Sequence, residues 1–376
     1  MADFPLRGRH LTQVLATSTG GVGTHVRSLL PTLLAAGATV QVCGPAATDE
    51  LFGFSAAGAT FLPVEISAGL APGADARALL QLRRATTGTD LVHAHGLRAG
   101  LVAGAARRLP GPRSALVLTL HNAVPDRGGA LRRVLSTVER ATVRGADLVL
   151  AASGDLADNA RRQGARDVRS APVSAPALPA AQRSRAEVRA ELGLTDGRPL
   201  VVAVGRLHPQ KGYDVLLDAV ARWASDRGQA PLVAVAGDGP LHDELAGRIR
   251  AEDLPVVLLG RRTDIADLLG AADLCVLPSR WEARSLTAQE ALRSGIPLVA
   301  TRTGGLPELL GSAAELVPVG DAAALAEAIA RVLTDDGHAA RLAAAGRRQA
   351  ATWPDEEATA TRLVAVYREL LGPPGA

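Results

Sequence analysis

The feature that most constrains this chain is an alternation, sustained almost from end to end, of short apolar runs with longer stretches of helical periodicity. Strands buried on both faces read as continuous apolar segments, and strands separated by helices pair in parallel within doubly wound sheets. In the first half the candidate strands are Leu11–Ala16, Ala38–Cys43, Asp90–Val92, Ser114–Leu120 and Asp147–Ala151, with helical stretches such as Thr24–Ala36 and Gly129–Thr142 between them. The series breaks at Ser170–Ala180 (SAPVSAPALPA), whose Pro, Ala and Ser content marks an interdomain linker. A second series follows: Pro199–Val204, Leu232–Ala236, Val256–Leu259, Leu274–Pro278 and Pro297–Thr301. The expected architecture is α/β, two Rossmann-like doubly wound domains facing each other across a cleft, residues 1–174 and 175–354. Ligands of such sheets bind outside the carboxyl ends of the strands. A last helix, Asp355–Leu371, follows Trp353-Pro354, a stop that turns the chain back toward the first domain.

Composition narrows the class. The 376 residues are 47% hydrophobic but only 2% aromatic, so two cores must be built from Ala, Val and Leu. A net charge of +3 excludes a dominant nucleic-acid footprint. Cys43 and Cys275 each sit inside an apolar run and read as buried free thiols, which suits a reducing cytoplasm. No apolar run reaches the roughly 18 residues of a membrane span, and no signal-peptide core follows the N-terminus. Residues 1–172 carry 19 arginines against 12 acidic residues, +7, which leaves −4 for the remainder. Arg127, Arg132, Arg133, Arg140 and Arg144 fall within one partly helical stretch of the basic half. A solvated face explains such a run; an anionic acceptor or an anionic membrane surface are the functional readings, so peripheral contact at the inner face of a membrane stays open. The chain holds one lysine, Lys211, against forty arginines. A position that keeps lysine against that bias is one where a compact ammonium is not replaceable by a planar fork.

That lysine lies in Gly205-Arg206-Leu207-His208-Pro209-Gln210-Lys211-Gly212, directly after the strand ending at Val204. A strand-to-helix turn here aims amides, a helix N-terminus and two cations at one place, a natural clamp for a diphosphate. Pro278-Ser279-Arg280-Trp281-Glu282 follows the strand ending near Leu277, and Glu290 lies eight positions beyond Glu282 on a helical stretch. Carboxylates at two levels can accept hydrogen bonds from vicinal hydroxyls, one on a sugar and the other on a ribose. Gly20-Gly21-Val22-Gly23-Thr24 follows the first strand and opens a helix, where backbone can approach an anion closely. It is not the dinucleotide fingerprint, because Val26 stands where the third glycine is needed. His93, His95 and His121 each follow a first-domain strand; with no carboxylate at ligand spacing and no D-x-D, polar contact with an acceptor or donor phosphate is favoured over metal.

Taken in order, these segments resemble the retaining glycosyltransferases of family 4, which share the GT-B fold and include glycogen-synthase-like and mannosyltransferase-like enzymes. The resemblance rests on GGVGTH at 20–25, HAHG at 93–96, TLHN at 119–122, GRLHPQKG at 205–212, AGDGP at 236–240, ADLCVLPSRWE at 272–282, the E-x7-E pair and TGGLPELL at 303–310. It implies a catalytic set of Arg206, Lys211, Glu282 and His121. The diphosphate falls to the two cations, the transferred sugar to Glu282, and the reacting centre to the neighbourhood of His121. It implies substrate contacts at Gly20, Gly21, Gly23, His95, Gly205, Gly237, Arg284, Ser285 and Leu286, with Glu290 on the nucleotide ribose. Family members place Gly-Phe-Gly or Gly-Phe-Pro after the first glutamate. Here Ala283-Arg284-Ser285 stands, which puts Arg284's bulk and charge beside the donor and bears on donor preference.

The expectation is a metal-independent, retaining hexosyltransferase that uses a UDP- or GDP-sugar, needs no cofactor and acts on an acceptor the sequence does not name. Domain closure would exclude water. A sugar-nucleotide epimerase and a non-catalytic nucleotide-sugar-binding protein are the rivals on the same fold. A cytoplasmic location is expected.

Overall fold

The computed structural model describes residues 4–67, 69, 72–124, 129–194, 197–223 and 230–372, and the side chains of Pro72 and of residues 129–132 are outside that description. The chain divides into two compact units, Met1–Pro176 with Pro354–Ala376, and Ala177–Trp353.

The first unit is built on a seven-stranded sheet: β1 (His10–Leu15), β2 (Thr39–Gly44), β3 (Thr60–Pro63), β4 (Leu91–His95), β5 (Ala115–Leu120), β6 (Leu148–Ala151) and β7 (Val168–Ser170). Their order is β3-β2-β1-β4-β5-β6-β7, and all pairings are parallel. The second unit carries β8 (Leu200–Val204), β9 (Leu232–Ala236), β10 (Val256–Leu258), β11 (Leu274–Leu277), β12 (Leu298–Thr301) and β13 (Glu315–Val317). They are ordered β10-β9-β8-β11-β12-β13, again parallel throughout. Strand order therefore reverses between β1 and β4 in one sheet and between β8 and β11 in the other. Those are the two places where loops leaving neighbouring strands diverge to opposite faces and open a crevice.

The central strands are apolar because both faces are covered: β6 and β11 are buried along their whole length. Three strands escape the apolar-run reading, and each is short. β3 ends in proline, β7 has three residues and includes Ser170, and β13 begins with Glu315. All three lie at sheet edges, where one flank is open and an apolar run is not required. The stretch read as linker thus begins inside β7, and Val173, Ser174 and Ala175 beyond it are buried.

Leu, Val and Ala fill the cores of both units. Cys43 and Cys275 are buried free thiols, and desolvation pushes both up to about 12. The final helix, Glu356–Leu371, is capped by Asp355, whose side chain accepts from Ala358 N at 2.7 Å. It lays Ala360, Leu363, Val364 and Tyr367 into the core of the first unit, beside Leu11, Val26 and Leu30.

Tyr367 is the largest fully buried side chain, and its hydroxyl is doubly engaged. It accepts from Gln13 Nε2 at 3.2 Å and lies 2.6 Å from His93 Nδ1. Tyr367→Phe keeps the ring but strands both partners in the interior. A loss of about 1–3 kcal/mol is expected for such an orphaned pair, read from the denaturant midpoint of the N-terminal unit. An unchanged midpoint would show that the hydroxyl does not tie helix to sheet.

Candidate active site

In the second unit, β8 runs into Gly205 and a single 3-10 turn, Pro209–Lys211, before the helix Tyr213–Ala221. His208 opens the turn, with Nδ1 accepting from Gln210 N. The loop is stitched to the one after β9 by Gly205 N donating to Ala236 O at 2.9 Å and Leu207 N donating to Asp238 O at 2.9 Å. Gly237 sits at φ +155, and a Cβ there would stand 1.9 Å from Gly205 O, so only glycine lets these loops touch. Gly212, at φ +67, meets the same limit against Pro278 O at 2.1 Å, which joins the turn to the end of β11. Arg280 N donates to Gln210 O at 2.7 Å, and Gln210 Nε2 donates to Trp281 O at 2.9 Å, closing the seam.

On this frame Lys211 Nζ donates to Glu282 Oε1 at 2.5 Å, with only 22% and 9% of the two side chains exposed. Buried Ser279 donates to the same oxygen at 2.8 Å. Glu282 Oε2 and two of the three ammonium protons are left for a ligand, since an ammonium has three donors. Arg206, five residues before Lys211, is exposed, and its guanidinium is paired with nothing among the described residues.

Past Glu282 the chain turns through Ala283 into the helix Leu286–Arg293. Ser285 is its N-cap, with Oγ accepting from Ala288 N at 3.3 Å, so the hydroxyl expected at the donor also anchors the helix. Leu286 takes the first helical position, where the amide has no intrahelical acceptor. Glu290, one turn on, is half-buried, and its carboxylate carries no hydrogen bond to any described residue. Burial raises its pKa, with Arg293 acting the other way. Arg284, which the resemblance puts beside the donor, turns its guanidinium onto Trp353. The planar cation finds an indole face there at 5.7 Å, and its Nε is buried with no partner among the described residues. Desolvation lowers its pKa.

In the first unit the glycine turn heads the helix Gly21–Ala35, with Gly20 as N-cap. Gly20 faces open space and Gly21 is exposed, whereas a Cβ on Gly23 would overlap the Phe52 ring at 2.1 Å. Gly23 is thereby explained by packing. The histidines differ from expectation in placement: His93 and His95 do not follow a strand but belong to β4, two apart and so on one face. His93 is completely buried, and Thr119 and Tyr367 occupy its two nitrogens, each at 2.6 Å. His93 stays against His95, ring centroids 4.1 Å apart, but the ring that meets both His95 and His121 is that of His25, from the helix after the glycine turn, which spacing along the sequence did not reveal. Desolvation lowers the pKa of all four, His25 to about 4 and His93 to about 3, so they are neutral imidazoles at pH 7. A cavity of about 120 Å³ opens beside His25 and His93, walled by Leu29 and Leu363. The basic run does not form one free face: Arg140 and Arg144 reach Gln163, while Arg127 and the side chain of Arg132 lie outside the described residues. Among the described residues no helix is long and apolar enough to cross a membrane.

The glycine turn and the Arg206–Lys211 loop each fall at the switch point of their own sheet, which is where a doubly wound unit binds ligand. The family described as glycosyl transferases group 1 matches residues 184–349, and a glycosyl transferase 4-like domain matches residues 20–176. The glycogen synthase of Mycobacterium tuberculosis H37Rv is 31% identical over 388 residues, covering 93% of this chain and 91% of the synthase. The lipopolysaccharide core biosynthesis mannosyltransferase LpsB of Rhizobium meliloti is 30% identical over 197 residues, 50% of this chain and 56% of LpsB, so the match spans little more than half of that relative. Among solved structures, Anabaena HepE in complex with UDP and glucose has the same fold, with a TM-score of 0.79 at 21% identity over 96% of this chain and 99% of HepE. The architecture is GT-B. The chain belongs to the group 1 glycosyltransferases, enzymes that transfer a sugar from a nucleotide-sugar donor.

Glu290 gives this site a thermodynamic signature. A half-buried carboxylate with a raised pKa and no partner destabilises the fold once it ionises, so Glu290→Gln is expected to stabilise the second unit by about 1 kcal/mol at pH 7. Because the folded pKa lies above the unfolded value of 4.5, the gain shrinks as pH falls toward 4.5. Melting curves at pH 7 and pH 5 test this; a destabilised variant would mean that the carboxylate is already satisfied.

Proposed function

We propose that this protein is a retaining hexosyltransferase that takes a UDP- or GDP-sugar, without a metal ion, and gives the sugar to an acceptor held by the N-terminal unit. The observation that carries the reading is the pairing of an unpartnered Arg206 with a Lys211 fixed by Glu282, both at the carboxyl end of β8. Departure of a nucleoside diphosphate builds negative charge on phosphate oxygens. Two positioned cations and the open amides of a helix N-terminus stabilise that charge in the transition state, which is the service a metal gives elsewhere. Glu282, with one oxygen left over, accepts hydroxyls of the transferred sugar, and Glu290 accepts those of the ribose. The acceptor attacks from the leaving group's own side and loses its proton to the departing phosphate. Gly20 and Gly21 offer bare backbone, and the neutral His121, held by His95 Nδ1 at 3.2 Å, offers a hydrogen bond, to the acceptor or the donor phosphate.

Arg284 enters this reading indirectly. Stacked on Trp353, it leaves the backbone of residues 283–286 to face the donor, as the glycine-rich version of the loop does in the family.

Loss of one preorganised donor to developing charge typically costs about 3–4 kcal/mol in the barrier. Lys211→Ala is therefore expected to lower kcat at least about 100-fold with the melting profile of the first unit unchanged. Lys211→Arg should also be impaired, because a wider planar fork cannot replace a point charge held between Glu282 and a phosphate. Steady-state turnover with UDP- and GDP-sugars measures both; full activity in the arginine variant would sink the clamp assignment. Activity is expected to survive EDTA, and a loss restored by Mg²⁺ or Mn²⁺ would contradict metal-free transfer.

A further inference from the structure

His25, His95 and His121 converge from three separate elements: the helix Gly21–Ala35, the last residue of β4 and the residue after β5. All three are buried, and one ring nitrogen of each lies within 4.8 Å of the others. The ring centroids form a nearly equilateral triangle of 5.8, 5.4 and 5.5 Å. A zinc–nitrogen bond of about 2.0–2.1 Å in a tetrahedral site sets neighbouring ligand nitrogens about 3.3 Å apart and ring centroids about 5 Å apart. The observed separation of His95 Nδ1 from His121 Nε2 is 3.2 Å, a hydrogen bond in the metal-free protein whose proton the ion would displace as His121 takes its other tautomer.

The surrounding hydrogen bonds settle which nitrogens carry lone pairs. Gln13 Nε2 donates to the Tyr367 hydroxyl, which lies 2.6 Å from His93 Nδ1, and His93 Nε2 lies 2.6 Å from the Thr119 hydroxyl. Gln13 is left with its carbonyl oxygen toward His95, and His95 Nε2–H donates to it at 2.9 Å. The Nδ1 lone pair of His95 is thereby turned toward His121. A neutral histidine whose far N–H is held by a fixed acceptor is the arrangement that orients metal ligands in metalloproteins. His25 adds an imidazole whose nitrogens bind no described residue, and it lines a cavity of about 120 Å³.

We propose that His25, His95 and His121 form a binding site for one divalent cation of the zinc class, with the fourth position open to water. Softness and geometry favour Zn²⁺ or Co²⁺ over Mg²⁺ or Ca²⁺, since three neutral imidazoles and no carboxylate suit borderline ions. The site stands on the geometry alone. Its consequence for turnover rests on the proposed substrate contact of His121: the ion takes that histidine out of the contact and inhibits transfer.

The test uses the full chain, stripped with EDTA and titrated with Co²⁺, then with Zn²⁺. One equivalent of Co²⁺ should give the intense visible bands of a tetrahedral site, and Zn²⁺ should displace it. His25→Ala should weaken binding at least about 100-fold. Gln13→Leu, which frees the far nitrogen of His95, should weaken it about 10–100-fold. Replacement of the exposed His242 should change nothing. Absence of a stoichiometric Co²⁺ spectrum in the wild-type protein overturns the site, whether or not the variants fold. Equal binding by His25→Ala does the same. Zn²⁺ that binds as expected but leaves turnover unchanged would contradict the substrate role of His121 and leave the metal site standing.

Discussion

A lysine ammonium and a glutamate carboxylate 2.5 Å apart hold the second unit's site together. Lys211 arrives on the loop after β8 and Glu282 on the loop after β11, adjacent strands from which the sheet grows in opposite directions. Connections at such a point diverge, so something must tie them across the crevice. The ion pair does so with charge, and the Gly212–Pro278 approach and the Arg280 N–Gln210 O bond do so with backbone. Removing one partner from a largely buried pair generally costs about 3–5 kcal/mol, because the survivor is left uncompensated. Ser279 on the same carboxylate oxygen shares that load and fixes which oxygen remains free.

The first unit solves the corresponding problem without charge. Its switch point carries a seam of neutral polar groups, Gln13, His93, His95, Thr119 and Tyr367, in which the near-neighbour bonds are directional and satisfied. Burial keeps the imidazoles unprotonated, so the seam can sit inside an apolar sheet without a counterion. Because Tyr367 comes from the final helix, the same bonds that set the histidine tautomers also anchor the chain's C-terminal segment.

How much of this was legible beforehand depended on burial. β8, β9 and β11 are apolar on both faces, so the loops that leave them could be placed to within a residue, and with them Arg206, Lys211, Glu282 and Glu290. β4 was cut short at Val92 because His93 and His95 interrupt its apolar run. Only pairing with β1 and β5 shows that the strand continues through them. β3, β7 and β13 were invisible for the opposite reason, being short edges with one open flank. His25 closes the GGVGTH segment, but nothing in the sequence joins it to His95 and His121, which lie on other elements, and Arg284's direction depends on Trp353, which no local pattern connects to it.

The central claim is that the second unit's switch point is where the diphosphate and ribose of the donor are held. A crystal structure of the protein with a nucleoside diphosphate tests it most directly. The account predicts phosphate oxygens against Arg206 and Lys211 Nζ, with Glu282 still on the ammonium, and ribose hydroxyls on Glu290. A diphosphate bound away from the loop after β8, or a ribose out of reach of Glu290, would contradict it.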